Sequence, residues 1–202
     1  GNEIISVTLT ESGVYNVLIT AEDNAGNINE ALYVVKIDKE VPTVIFTPNE
    51  QSWTNKNITV TISADDNGGS GVNRIYYKVV SYNDACPSVG SSDYLFISGN
   101  SVSVPISDNG QWKICTYAVD KVGNIPDRVT ESGVYQIDKL PPSVNTILVE
   151  PNVTKDDNVW VTGKVNIIFS AEEDTINSNA ISGLSTARLY IDGVLNTTKN
   201  LG

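Results

Sequence analysis

The 202-residue chain contains no histidine, no methionine and only two cysteines. Without histidine there is no Ser-His-Asp or Cys-His nucleophilic site and no histidine acid–base step, and most catalytic zinc sites are excluded as well. Basic residues are also scarce, 13 against 24 acidic ones, which gives a formal net charge of −11 and a pI of about 4.3. Such a field repels phosphate backbones and anionic lipid surfaces, so neither nucleic acid nor a membrane surface is expected as a partner. It attracts divalent cations. No apolar run approaches the roughly 20 residues of a transmembrane helix, although an apolar fraction of 40% is enough for packed cores. There is no signal-peptide pattern and the first residue is glycine. The sequence reads as an internal fragment, whose missing targeting signals say nothing of destination.

What is present is a period of two. From Val14 to Ala21, residues Tyr15, Val17, Ile19 and Ala21 fall on one face and Asn16, Leu18 and Thr20 on the other. Trp112, Ile114, Thr116 and Ala118 repeat that inward pattern, and Ile58–Ala64 and Lys164–Ala171 alternate in the same way. No window shows a 3.6-residue stripe, so short strands separated by Asn-Gly, Ser-Gly and Pro signals predict an all-β sandwich.

The chain also repeats itself. Ala21-Glu22-Asp23-Asn24-Ala25-Gly26-Asn27 returns as Ala118-Val119-Asp120-Lys121-Val122-Gly123-Asn124, about 97 positions later. Ile37-Asp38-Lys39-Glu40-Val41-Pro42 follows the first copy and Ile137-Asp138-Lys139-Leu140-Pro141-Pro142 the second. The front halves match too. Trp53, Ser70-Gly71 and Arg74-Ile75-Tyr76 correspond to Trp160, Ser182-Gly183 and Arg188-Leu189-Tyr190. A repeat of about 100 residues is the size of one small sandwich. Residues 1–40 then form the back half of a module, 41–140 a complete one, and 141–202 the front half of a third. Thr10–Tyr15 is identical to Thr130–Tyr135 but out of phase, so it reads as turn chemistry recurring in another register.

The Ile-Asp-Lys-x-x-Pro linker, the Ala-Asp-Asp…Gly-Ser-Gly-Val loop, the Ile-Tyr-Tyr strand and the Ala-x-Asp-x-x-Gly-Asn loop together resemble prokaryotic Ig-like repeats. These are fibronectin type III-like tandem modules of bacterial and archaeal surface proteins and adhesins. The resemblance implies tandem β-sandwiches, one complete and two partial, strung as a stalk. Its motifs are structural turns, and a fold alone does not license an activity.

In related adhesin repeats, linker aspartates can hold calcium. The resemblance therefore marks Asp38 and Asp138, with Asp65, Asp66 and Asp120 to complete a shell, as candidate ligands. The alternative is a solvated acidic loop, and for Asp120 and Asp23 an Asx-type turn with Gly and Asn at positive φ. In an Ig-like sheet the Ile75–Val80 strand neighbours that of Cys115. A Cys86–Cys115 disulfide is then expected, against two free thiols, and it points to an oxidising, extracellular setting. It is not the antibody intersheet bridge, because Ile58–Ala64 has no cysteine.

Asn57, Asn152 and Asn196 each open an Asn-x-Thr acceptor pattern for glycosylation. Trp53, Trp112 and Trp160 read as core or domain-edge packing rather than a carbohydrate platform. Asp65-Asp66 and Glu172-Glu173-Asp174 occupy one loop position of successive repeats, which makes them fold features rather than a glycosidase pair. No enzyme activity is expected. The reading is a non-catalytic spacer of a large repetitive extracellular surface or filament protein, each module roughly 35–45 Å long. Its partners would be neighbouring copies of the repeat or chain, assembled head to tail. In that assembly, or in one continuous chain whose flanking sequence supplies the missing strands, Tyr15, Val17 and Ile19 would pack on Val165, Ile167 and Phe169 of the neighbouring segment. The alternative is an adhesin module binding a glycan or host-surface ligand through Ser81–Asn100, which carries Tyr82, Tyr94 and Phe96.

Overall fold

The computed structural model describes residues 4–150, 153–155, 158–160, 163, 164, 166–173, 175, 176, 179, 180 and 182–201. The chain is all-β. In order, the strands are β1 (Gly13–Glu22), β2 (Ile28–Ile37), β3 (Thr43–Thr47), β4 (Gln51–Thr54), β5 (Ile58–Asp65), β6 (Val72–Ser81), β7 (Leu95–Ser98), β8 (Ser101–Ile106), β9 (Gly110–Asp120), β10 (Thr130–Glu131) and β11 (Tyr135–Ile137). Then come β12 (Ser143–Glu150), β13 (Val153–Lys155), β14 (Asn158–Trp160), β15 (Asn166–Glu172), β16 (Thr175–Ile176), β17 (Asn179–Ala180), β18 (Thr186–Ile191) and β19 (Val194–Asn200). Two compact units result. One is Gly1–Glu50 with Thr59–Val104 and Lys113–Gly133; the other is Gln51–Ile58 with Pro105–Trp112 and Val134–Gly202.

In the first unit β1 and β2 form a hairpin in unbroken register, from Gly13 opposite Ile37 to Glu22 opposite Ile28. Its turn is closed by Asp23, whose Oδ1 accepts the Ala25 and Asn27 N–H groups at 2.9 Å each. Gly26 takes φ +86°, a conformation that a side chain would strain.

The same unit carries a three-stranded sheet, β3-β5-β8, and the β9-β6-β7 run of a larger one, with β10 alongside β9. Alternation decides what is buried. Val60, Ile62 and Ala64 of β5, Ile75 of β6, Val104 of β8, and Ile114, Thr116 and Ala118 of β9 are all buried. Burying one apolar face from each of two sheets is the layout of a β-sandwich.

Cys115 points to the outer face, as its alternation requires, yet it is fully buried. The cover is the segment between β6 and β7, pinned by a Cys86–Cys115 disulfide with a Cα–Cα distance of 5.7 Å. Beneath it Tyr76 stacks on Tyr117 with centroids 4.7 Å apart, and Tyr94 meets Tyr117 edge-on at 5.1 Å. The Tyr94 hydroxyl donates to the Pro87 carbonyl at 2.7 Å. Burial pushes the Tyr94 phenol up to about 12, with the Tyr117, Glu131 and Asp93 charges adding to the shift. The corresponding strands of the third repeat, β18 and β19, are joined instead by Asp192-Gly193, both at positive φ. That two-residue turn matches the twist of a hairpin. The disulfide-bound segment therefore has no counterpart between β18 and β19.

In the second unit β11 lies between β4, parallel, and the first residues of β9, antiparallel. Ile58, Ile106, Tyr135 and Ile137 are buried there. The pairs β12–β15, β13–β14, β16–β17 and β18–β19 each form two-stranded sheets. The out-of-phase string has a local cause. Ser12 Oγ accepts the Lys39 N–H at 3.0 Å, whereas Ser132 Oγ accepts the Ile114 N–H at 2.9 Å. In both places the serine satisfies a backbone donor beside a strand.

Candidate metal centre

Asp38 ends β2 and opens the linker. Its Oδ1 accepts the Glu40 N–H at 3.1 Å, an Asx turn, and its Oδ2 accepts the Ser70 N–H at 2.5 Å. The Ser70 amide is the main reason its carboxyl lies below the ordinary value of 3.8. Asp66 follows β5, and its Oδ2 accepts the Gly71 N–H at 2.6 Å. Asp120 ends β9. Its Oδ1 accepts the N–H groups of Val122, Gly123 and Asn124, and its Oδ2 accepts the Asn124 side-chain amide at 2.6 Å. Asn124 also donates to the Asp38 carbonyl at 3.1 Å, which ties this loop to the linker.

One oxygen from each of Asp38, Asp66 and Asp120 lies within 4.8 Å of the others. Asp66 is 4% exposed and Asp120 fully buried. Among the described residues no ion pair compensates them; those present join Lys78 to Asp93 and Lys113 to Glu131. Asp66 Oδ1 and Ser70 Oγ are buried without a hydrogen-bond partner. Orphaned buried oxygens are costly, and three like charges at this spacing repel one another. An oxygen-liganded hard cation removes both penalties. Gly69 keeps the space open: a Cβ there would stand 2.5 Å from Asp38 Oδ2 and 2.8 Å from Asp66 Oδ2.

The five aspartates marked in the sequence thus divide. Asp38, Asp66 and Asp120 converge. Asp65 does not: its Oδ1 caps the Asn67 N–H at 3.1 Å in its own loop. Neighbouring residues of a strand point to opposite faces, so only one of the pair can turn inward. Asp138 lies at the second linker. Its Oδ1 accepts the Leu140 N–H at 3.0 Å, and its Oδ2 accepts both the N–H and the hydroxyl of Ser182. Ser182 Oγ is 3.4 Å from Glu173 Oε1. This repeats the Asp38–Glu40–Ser70 arrangement, with Glu173 in the place of Asp66. Sequence reading took Ser70 and Ser182 only as matching repeat positions and did not mark Gly69; the Gly68-Gly69-Ser70-Gly71 run was the available signal.

Burial raises the Asp138 carboxyl, but the Ser182 and Leu140 hydrogen bonds outweigh it and hold the group below 3.8. A lowered carboxyl contributes stability above its ordinary value and loses it as pH falls through the folded one. Thermal melts should therefore show a stability loss beginning below pH 3.8 that is shallower in Asp138→Ala.

The remaining marked residues do not gather. Asn57 is exposed, and its Oδ1 accepts from the Lys139 ammonium at 2.5 Å. Asn196 is exposed on β19, and Asn152 lies outside the described residues. Trp53 and Trp112 are half-buried, while Trp160 is 63% exposed and so is not packed in a core. Glu172 is exposed and Glu173 half-buried; Asp174 lies outside the described residues. Of the three loop aromatics, Tyr94 is buried, Tyr82 is exposed, and Phe96 sits on β7 with Arg74 4.9 Å over its ring. No protein-family model matches the chain, and no curated protein matches it.

Proposed function

We propose that this chain is a non-catalytic spacer of a repetitive extracellular surface or filament protein, with calcium tying its linker to the adjoining module. The observation carrying this reading is the Asp38, Asp66 and Asp120 trio with its orphaned Asp66 oxygen. One ligand comes from the linker and two from loops of the module that follows it, so a shared ion would restrict the linker. Calcium is the hard cation that best tolerates irregular, oxygen-only loop ligands, and extracellular modules hold it at sub-millimolar to millimolar levels. The disulfide belongs to an oxidising compartment. Among the described residues no helix is long and apolar enough to cross a membrane.

The test is small-angle scattering in calcium and in EDTA. Calcium should narrow the distribution of chain dimensions. Gly69→Ala, which removes no ligand but intrudes between two of them, should cancel that effect. Equal scattering in both conditions would sink the calcium-stiffened spacer. The rival reading, a ligand- or glycan-binding adhesin module, is weakened by the burial of Tyr94, which leaves Tyr82 and Phe96 without the third ring.

A further inference from the structure

Asn-Gly occurs twice in the chain, each time after aspartate: Asp66-Asn67-Gly68 and Asp108-Asn109-Gly110. Asparagine is a thermally labile residue, and a following glycine leaves the next backbone nitrogen unhindered because it has no Cβ. That nitrogen can attack the asparagine Cγ. The bond from Cγ to the side-chain nitrogen then breaks, and this nitrogen leaves as ammonia with the glycine N–H proton. Water opens the resulting five-membered imide. Attack at Cγ gives aspartate. Attack at the main-chain carbonyl gives isoaspartate, in which the backbone runs through the former side chain. Because the two tripeptides are identical, a difference between them must come from the fold.

The fold restrains the second copy. Asn109 is half-buried, and its Oδ1 accepts the Lys139 N–H at 3.0 Å. The Asp108 carbonyl accepts the Trp112 indole N–H at 2.9 Å. Gly110 already belongs to β9, opposite Ile137 of β11. Swinging its nitrogen onto Cγ would pull against these contacts.

The first copy is held by less. Asn67 is exposed. Neither its side chain nor the Gly68 N–H makes a hydrogen bond among the described residues. Asn67 and Gly68 take φ of 46° and 86°, in a two-residue turn closed by the Gly69 N–H on the Asp66 carbonyl at 2.8 Å. A Cβ at Gly68 would meet nothing within 4 Å. The attacking nitrogen is thus unbonded, and the imide has room to form. Asn67 also lines the same hollow as Asp38, Asp66, Gly69 and Ser70.

We propose that Asn67 is a site of spontaneous deamidation, and that its two products shift the affinity of the Asp38, Asp66 and Asp120 centre for calcium in opposite directions. The modification stands on the two Asn-Gly environments alone; the shift rests on the calcium reading above. Aspartate adds a fourth carboxylate beside Asp66 without changing the chain, and ligand charge is one of the factors that set calcium affinity. Isoaspartate lengthens the backbone by one carbon between Asp66 and Gly68. That displaces Asp66 relative to Ser70 and Gly71, whose N–H groups hold Asp38 and Asp66 in place.

The test is to age the full chain in heavy-oxygen water at neutral pH and physiological temperature, then map its peptides by mass spectrometry. An isoaspartate-specific methyltransferase separates the two products. In the folded chain Asn67 should convert several-fold faster than Asn109, with one heavy oxygen in each product. In urea the two should convert at similar rates. An intact Asn67, or equal rates at both sites in the folded chain, would overturn the modification site. Calorimetry then compares calcium binding to the fresh chain, the purified isoaspartate form and Asn67→Asp. Asn67→Asp should bind several-fold more tightly than the fresh chain, and the isoaspartate form several-fold more weakly. Equal affinities would overturn the shift and leave the modification standing. Conversion at Asn67 with no calcium bound by any form would overturn the calcium reading, and the shift with it, but not the modification.

Discussion

Millimolar calcium should raise the thermal unfolding midpoint of the chain by on the order of 10 °C, and Asp66→Asn should abolish the rise. A ligand at about ten times its dissociation constant adds about 1.4 kcal/mol, and each kcal/mol moves a domain of this size by roughly 4–8 °C. The informative sign is the one in EDTA. There Asp66→Asn removes a buried carboxylate that forms no ion pair among the described residues, so the variant should match or exceed the parent. If Asp66 were an ordinary structural carboxylate, its Gly71 hydrogen bond would make the substitution destabilising in both conditions. Calorimetry on the two proteins, each with and without calcium, separates the cases. Magnesium should do less, because it demands near-octahedral geometry and gives up its waters reluctantly.

Several of these features were legible in the sequence because they repeat. The inward set of β9 was readable from two-residue alternation, and its match to β1 from the shared Asp-x-x-Gly-Asn string. The same alternation placed Cys115 outside the sandwich. What it did not give was the cover over that outer face, since the insertion between β6 and β7 has no counterpart in β18–β19. Trp160 was read as packed because it aligns with Trp53, yet it is exposed. Alignment transfers a position, but burial also needs the strands that surround it. The candidate metal centre was half legible. The linker position marked Asp38 and the repeat marked Asp120. Choosing Asp66 over Asp65 depended on where the chain turns after β5. Ser70 enters through a backbone amide, which no side-chain pattern records.

Replacing Cys86 and Cys115 together by alanine should lower the thermal midpoint of the unit that holds them by on the order of 15 °C. The bridge spans a sequence separation of 29, a loop whose closure is worth about 3–4 kcal/mol in the chain-entropy model. A local cost adds to this one. The bridge holds the insertion over Val80, Tyr94, Cys115 and Tyr117, with Tyr76, Cys86, Val89, Val119 and Val129 packed against them. Once released, the insertion can peel away at neutral pH while the sandwich core of Val60, Ile62, Ile75 and Ile114 stays closed. Limited proteolysis of the double variant should therefore cut first between Tyr82 and Asp93, well below the midpoint, and binding of a hydrophobic dye should rise as Tyr117 is uncovered. A variant that melts in a single transition at the parental midpoint, with no early cut, would mean that the aromatic cluster alone holds the cover. In that case the disulfide would add no stability, and the structural argument for an oxidising compartment would lose its footing. A large loss would mean that the module depends on its bridge, as expected of a chain that folds where thiols are oxidised.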